Sequence, residues 1–137
     1  MKDRVFLDTN VLVYLYSNTE QLKRGTAISL FKKYVCFTST QALNEFNNVY
    51  TKKYKLPAEE IIKFNGNINK ACRVQLVTEE IIYNSLRLHE KYGYSYFDCL
   101  MLSSALESDC KILFTEDMAD GQLIEEMVRI VNPFTVK

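Results

Sequence analysis

Val5-Phe6-Leu7-Asp8-Thr9-Asn10-Val11-Leu12 is the stretch that decides how the chain folds. Three apolar residues are too few for a helix, and they run straight into an acid and two residues that favour turns and helix starts. This predicts a short buried strand ending at Leu7, with Asp8 at its carboxyl end and a helix from Val11 to Tyr16 behind it. The pattern recurs at Lys111 to Phe114, a strand followed by Thr115-Glu116-Asp117. Val35-Cys36-Phe37 is another short run, and Thr38-Ser39-Thr40 supplies the hydroxyls that open a helix from Gln41 to Tyr54. Arg73 to Val77 and Met127 to Val131 complete the expected strands. Further helices are expected from Leu22 to Tyr34, from Ala58 to Asn67 behind Pro57, from Thr78 to Tyr92, and from Tyr96 to Ser108. Ser95 caps the last of these, and Gly93 stops the one before it. Strands alternating with helices predict a three-layer α/β/α fold around a parallel sheet of about five strands.

Composition agrees with a single domain over residues 1–137. Apolar residues make up 47% and charged residues 25%, with four Gly and two Pro, which excludes a disordered tail or a collagen-like chain. No apolar run approaches the roughly 20 residues of a membrane span, and no signal-peptide core is present. The four Cys are far apart and lack CxxC spacing, so they predict reduced, buried thiols in a cytoplasmic protein rather than a zinc or disulfide framework. Net charge is zero but polarised. Residues 1–75 carry twelve Lys or Arg against six Asp or Glu, and residues 76–137 carry five against eleven. Such a chain can present one basic and one acidic surface.

In a parallel sheet, sites form beyond the carboxyl ends of the strands, and the residues there are acidic. Asp8 and Asp117 each follow a strand, although each also reads as a helix cap or turn residue. Glu45 lies about 40° from Val49 on its helix, at the edge of the stripe Ala42, Phe46, Val49 and Tyr50, which predicts partial burial. Asp98 stands at the third position after Ser95, as in a capping box, yet it opens a helix that is apolar on nearly every face. Four carboxylates gathered at one sheet edge would raise one another's pKa unless a cation offset them. Without His or Cys ligands, the all-oxygen set suits Mg²⁺ or Mn²⁺. His89, the only histidine, lies within a helix and reads as structural.

These runs resemble the PIN-domain nuclease family, specifically the stand-alone toxins of VapBC-like toxin–antitoxin pairs. The resemblance rests on Phe6-Leu7-Asp8-Thr9-Asn10-Val11-Leu12, Gln41-Ala42-Leu43-Asn44-Glu45, Tyr94-Ser95-Tyr96-Phe97-Asp98 and Phe114-Thr115-Glu116-Asp117-Met118. Asp120-Gly121-Gln122 and Val131-Asn132-Pro133-Phe134 extend it toward the C-terminus. It implies that Asp8, Glu45, Asp98 and Asp117 are catalytic and hold one or two Mg²⁺ or Mn²⁺ ions. Asn10, Thr115 and Glu116 are then supporting groups around them. The implied activity is metal-dependent hydrolysis of RNA phosphodiesters, with an antitoxin protein and a second copy of the chain as partners. Lys52, Lys53 and Lys55, interleaved with Tyr50 and Tyr54, suit phosphate contacts and base stacking in single-stranded RNA, or the docking of an antitoxin tail. They equally suit an exposed helix end set against the helix dipole. The aromatic stretch around Tyr50, Tyr54 and Phe64 is the expected dimer surface.

Three alternatives remain, one of the same fold and two of other classes. A housekeeping RNA-processing nuclease would share the fold and the acids. A phospho-receiver domain is disfavoured: Thr9 and Asn10 follow Asp8 where a second acid is needed, and Lys111 precedes its strand rather than following it. A nucleotide-binding module lacks any glycine-rich phosphate loop.

Overall fold

A computed structural model of the chain describes residues 2–135. Met1, Val136 and Lys137, the ends of the expected 1–137 domain, lie outside the described residues. The elements run β1 (Arg4–Leu7), α1 (Thr9–Tyr14), α2 (Gln21–Lys33), β2 (Val35–Ser39), α3 (Thr40–Lys52), α4 (Ala58–Ala71) and β3 (Cys72–Gln75). They continue as α5 (Glu79–Tyr92), α6 (Tyr96–Glu107), β4 (Ile112–Phe114), β5 (Leu123–Ile124) and β6 (Val128–Val131). The sheet order is β3-β2-β1-β4-β6-β5. Every pairing is parallel except β5 with β6.

The sheet therefore has six strands rather than about five. The additional strand, β5, forms a hairpin with β6 through a turn in which Glu125 and Glu126 both adopt left-handed backbone, φ 51° and 57°. Such turns ordinarily call for Asn-Gly or Asp-Gly, so Glu-Glu gives no hairpin signal in the sequence. Contacts from α5 hold the turn in place: Lys91 Nζ lies 2.5 Å from the Glu125 carboxylate, and the Glu125 amide donates to the Tyr92 hydroxyl at 2.9 Å.

The starts of α3, α5 and α6 are hydroxyl caps, as the sequence predicts. Ser39 accepts from the Ala42 amide, Thr78 from Ile81 and Ser95 from Asp98. Gly93 ends α5 with φ 79°, a conformation that costs glycine little. Beside it, His89 Nδ1 meets the Tyr94 carbonyl, a local structural contact. Residues Cys99 to Ala105 of α6 are all buried, because the helix packs on α5 and also reaches β2, β4 and β6. All four cysteines are buried. Burial pushes the Cys36 and Cys110 thiols up to about 12 and raises those of Cys72 and Cys99 as well. A raised thiol is a poor nucleophile and a poor metal ligand at neutral pH.

From β1 the chain steps outward to β2 and β3, then returns to lay β4 on the other side of β1. The strand order reverses there, and a crevice opens beyond the paired ends Leu7 and Phe114.

Candidate functional site

Asp8 sits at this reversal, 6% exposed. It caps α1, with Oδ1 accepting from the Thr9 amide at 2.6 Å, so the turn that ends β1 also fixes the carboxylate. Its other oxygen accepts from the Thr115 hydroxyl at 2.7 Å. Thr115, fully buried at the end of β4, gathers the other groups of this edge. Its Oγ1 accepts from Asn10 Nδ2 at 3.2 Å and from the Asp117 amide at 3.1 Å. Asn10 Nδ2 also donates to Asp117 Oδ2 at 2.9 Å. Asp8, Asn10, Thr115 and Asp117 thus form one hydrogen-bonded unit across the β1–β4 seam.

Glu45 reaches this unit from α3, its Oε1 accepting from the Thr9 hydroxyl at 3.2 Å. Its helix angle predicts partial burial, but the residue is exposed, because that flank of α3 borders an open cleft rather than another element. Gln41, one turn earlier, donates from Nε2 to Glu45 Oε2 at 2.8 Å and to the Phe97 carbonyl at 3.0 Å. Gln41 therefore ties α3 to the first turn of α6, where Asp98 is half-buried. The roles of Thr9 and Gln41 were not apparent from the sequence. Their signals were present: Thr9 adjoins Asp8, and Gln41 precedes Glu45 by one helical turn.

Glu116 belongs to a separate cluster. Lys23 Nζ binds its Oε2 at 3.0 Å, and the Tyr14 hydroxyl donates to its Oε1 at 2.5 Å. Of the lysines singled out for RNA, all three are exposed, and Lys53 lines the same cleft as Glu45 and Asp117, a space of about 440 Å³. Lys53 Nζ lies 5.5 Å from the centre of the Tyr54 ring, itself 41% exposed. Tyr50 is different. It is 3% exposed, its hydroxyl donating to the Val13 carbonyl and its ring stacked on Tyr54, so it has no free face for a base or a partner. Phe64 is half-buried and stacks on Tyr16 at 3.9 Å, which makes this aromatic stretch chiefly an internal cluster.

The electrostatics of the acids are unbalanced. Burial, reinforced by Glu45 and Asp117, pushes the Asp8 carboxyl up to about 6 against the pull of the Thr115 and Thr9 hydrogen bonds. Burial also raises Asp98, with Asp117 adding to it and Ser95 opposing. Among the described residues, none of Asp8, Glu45, Asp98 and Asp117 is paired with a Lys or Arg. Nor do three acids of this group already stand at ligand spacing around one point. Among the described residues, the buried Asn10 Oδ1 has no hydrogen-bond partner. An all-oxygen, uncompensated donor set with an orphaned amide oxygen fits a hard divalent cation and its waters.

The sequence profile of the PIN domain family matches residues 5–119. No curated protein sequence matches significantly. Solved structures share the fold. A toxin–antitoxin complex from Klebsiella pneumoniae superposes with TM-score 0.71 at 20% identity, covering 96% of this chain and 99% of that one. VapC20 of Mycobacterium tuberculosis, described as a sarcin-ricin loop cleaving toxin, gives 0.65 at 19% identity over 82% and 91%. VapBC2 of Rickettsia felis, bound to promoter DNA, gives 0.64 at 16% over 94% and 99%.

Proposed function

The chain belongs to the PIN-domain family, and on that premise we propose that it is a divalent-metal-dependent endoribonuclease, the toxin of a type II toxin–antitoxin pair. The observation that carries the proposal is the buried Asp8 carboxylate, grouped with Glu45 and Asp117 and without a Lys or Arg partner among the described residues. Such a group is costly to keep unless a ligand completes it.

Asp8, Asp98 and Asp117 would hold Mg²⁺ or Mn²⁺, with Glu45 beside them. The ion would supply a lowered pKa for water and charge to offset the leaving oxygen. The chain's own groups do the positioning. Thr9 and Thr115 clamp both oxygens of Asp8, so its lone pairs point one way before any ligand arrives. Asn10 orients Asp117, and Gln41 orients Glu45. Glu45, exposed at the cleft, is free to take the proton of an attacking water. Lys53 and Tyr54, farther along the cleft, offer a phosphate contact and a stacking face.

The toxin role is supported by the structural neighbours, which are themselves toxins or toxin–antitoxin complexes. We extend their partnership to this chain as an antitoxin that covers the basic end of α3. A homodimer is part of the same proposal, through a surface other than the cleft that holds Lys53 and Tyr54.

The test compares cleavage of a mixed RNA pool by the wild-type protein and by Asp8→Ala, each with Mg²⁺, Mn²⁺ or EDTA. Expected is metal-dependent cleavage that EDTA abolishes and the substitution reduces more than a hundredfold, beyond the roughly 10–100-fold expected of a residue that only orients a ligand. Cleavage that survives both treatments would overturn the proposal.

A further inference from the structure

Phe97 is 66% exposed on a helix whose next seven residues but one are buried. A single exposed phenylalanine is ordinary. Its position gives it meaning. The next residue is Asp98, and its own carbonyl is held by Gln41 Nε2, the atom that also holds Glu45 Oε2. Tyr96 braces the ring edge-on, with centroids 5.5 Å apart.

Gln41, Glu45, Val49 and Lys53 follow one another at four-residue spacing, so they form one row along α3 and its C-cap. At about 1.5 Å per residue this row is roughly 18 Å long. Lys53 and the half-exposed Tyr54 stand at one end. Phe97 stands at the other, and the acids lie between. An exposed aromatic face at each end of an acidic centre matches what a strand with unpaired bases needs and what a duplex cannot use, since paired bases hide their faces.

We propose that Phe97 is a base-stacking residue for single-stranded RNA, on the side of the acidic centre away from Tyr54. The proposal rests on the nuclease reading and specifies its substrate: an unpaired nucleotide immediately beyond the cleaved bond. Stacking accepts every base, so Phe97 contributes position rather than sequence preference. Because Gln41 bonds both the Phe97 carbonyl and Glu45, a base seated on the ring is placed in fixed relation to the acid.

The chain contains no tryptophan, so Phe97→Trp places a single tryptophan at the proposed contact, excited at the red edge where the nine tyrosines do not absorb. The variant is made in an Asp8→Asn background that cannot cleave. It is titrated with a mixed-sequence oligoribonucleotide, single-stranded or annealed to its complement, while filter retention of labelled RNA reads binding independently. The expected result is quenching by the single strand that follows retention, with little quenching by the duplex. Phe97→Ala should weaken single-strand binding about tenfold, and Phe97→Tyr should keep it, with melting temperatures unchanged in both. Retention without quenching, and with Phe97→Ala binding as the parent does, would overturn the assignment of Phe97 and leave the nuclease reading intact. No retention by the Asp8→Asn parent at any salt would overturn both. An emission shift that grows with protein concentration in the absence of RNA would overturn the proposal in favour of a second copy covering this ring.

Discussion

Glu116 and Asp117 are adjacent in the chain and could hardly be treated more differently by the fold. Glu116 is enclosed: Lys23 and the Tyr14 hydroxyl each take one of its oxygens, and Lys23 also lies over the Tyr14 ring at 4.8 Å. Its charge is spent on joining the end of β4 to α1 and α2. Asp117 is exposed, receives a single amide hydrogen bond from Asn10, faces Asp8 and Asp98, and is paired with no Lys or Arg among the described residues. The same chemical group is thus a fastener on one side of the backbone and an open valence on the other. What separates the two is whether the protein supplies the counter-charge itself.

The difference can be tested through pH first, where the effect is largest. Asp8 holds its proton more tightly in the folded state, at about 6 against an ordinary 3.8. Between about pH 4 and pH 6 the folded protein therefore binds more protons than the unfolded one, and stability falls as pH rises through that window. The cost at neutral pH is of order 2–3 kcal/mol in the absence of metal. Asp8→Asn should remove most of that slope, and millimolar Mg²⁺ or Mn²⁺ should offset it in the wild type only; denaturant titrations from pH 4 to 8 measure both. A wild-type curve that is flat over this range would mean the open side is not open.

Next in size is the hydrogen-bonded unit beneath the acids. Thr115→Val removes one of the two bonds that hold Asp8, Asn10→Ala removes the bond that orients Asp117, and each should weaken metal affinity about 10–100-fold in calorimetric titration. Smaller still is the fastener. Glu116→Gln keeps the shape but not the charge of a half-buried pair, and should cost about 1 kcal/mol of stability by denaturant unfolding while metal affinity stays at the wild-type value. If Glu116→Gln instead abolished metal binding, the contrast between the two neighbours would collapse.

How legible this was in the sequence depended on how local each determinant is. Asp8 and Asp117 could be placed because a three-residue apolar run followed by an acid needs no distant information. Glu45 was found by helix angle, yet its burial was misjudged, since angle says which face a residue occupies and not whether anything covers that face. Thr115 and Glu116 looked alike beside the acids. Only the tertiary approach of α1 and α2, bringing Lys23 and Tyr14 to Glu116, separates them. Tyr50 and Tyr54 looked alike for the same reason, and only one is available at the surface. The β5–β6 hairpin was invisible because its turn residues are wrong for the turn. Two glutamates in left-handed backbone cost roughly 1–2 kcal/mol each, so Glu126→Asn should raise stability by a few tenths of a kcal/mol to about 1, the smallest effect expected here and one a thermal melt can detect.

The order of the strands has a consequence for the protein's own synthesis. β1 precedes the other five strands of this sheet in sequence yet lies between β2 and β4, so it is flanked on both sides only after β4 has been made. Asp8 waits for Thr115 and Asp117, more than a hundred residues later, before its carboxylate is clamped and its neighbours arrive. A chain interrupted between α6 and β4 carries Asp8, Glu45 and Asp98 without Thr115 and Asp117, which complete the β1–β4 seam. If the proposed activity depends on that seam, it can begin only once β4 has been made and paired with β1.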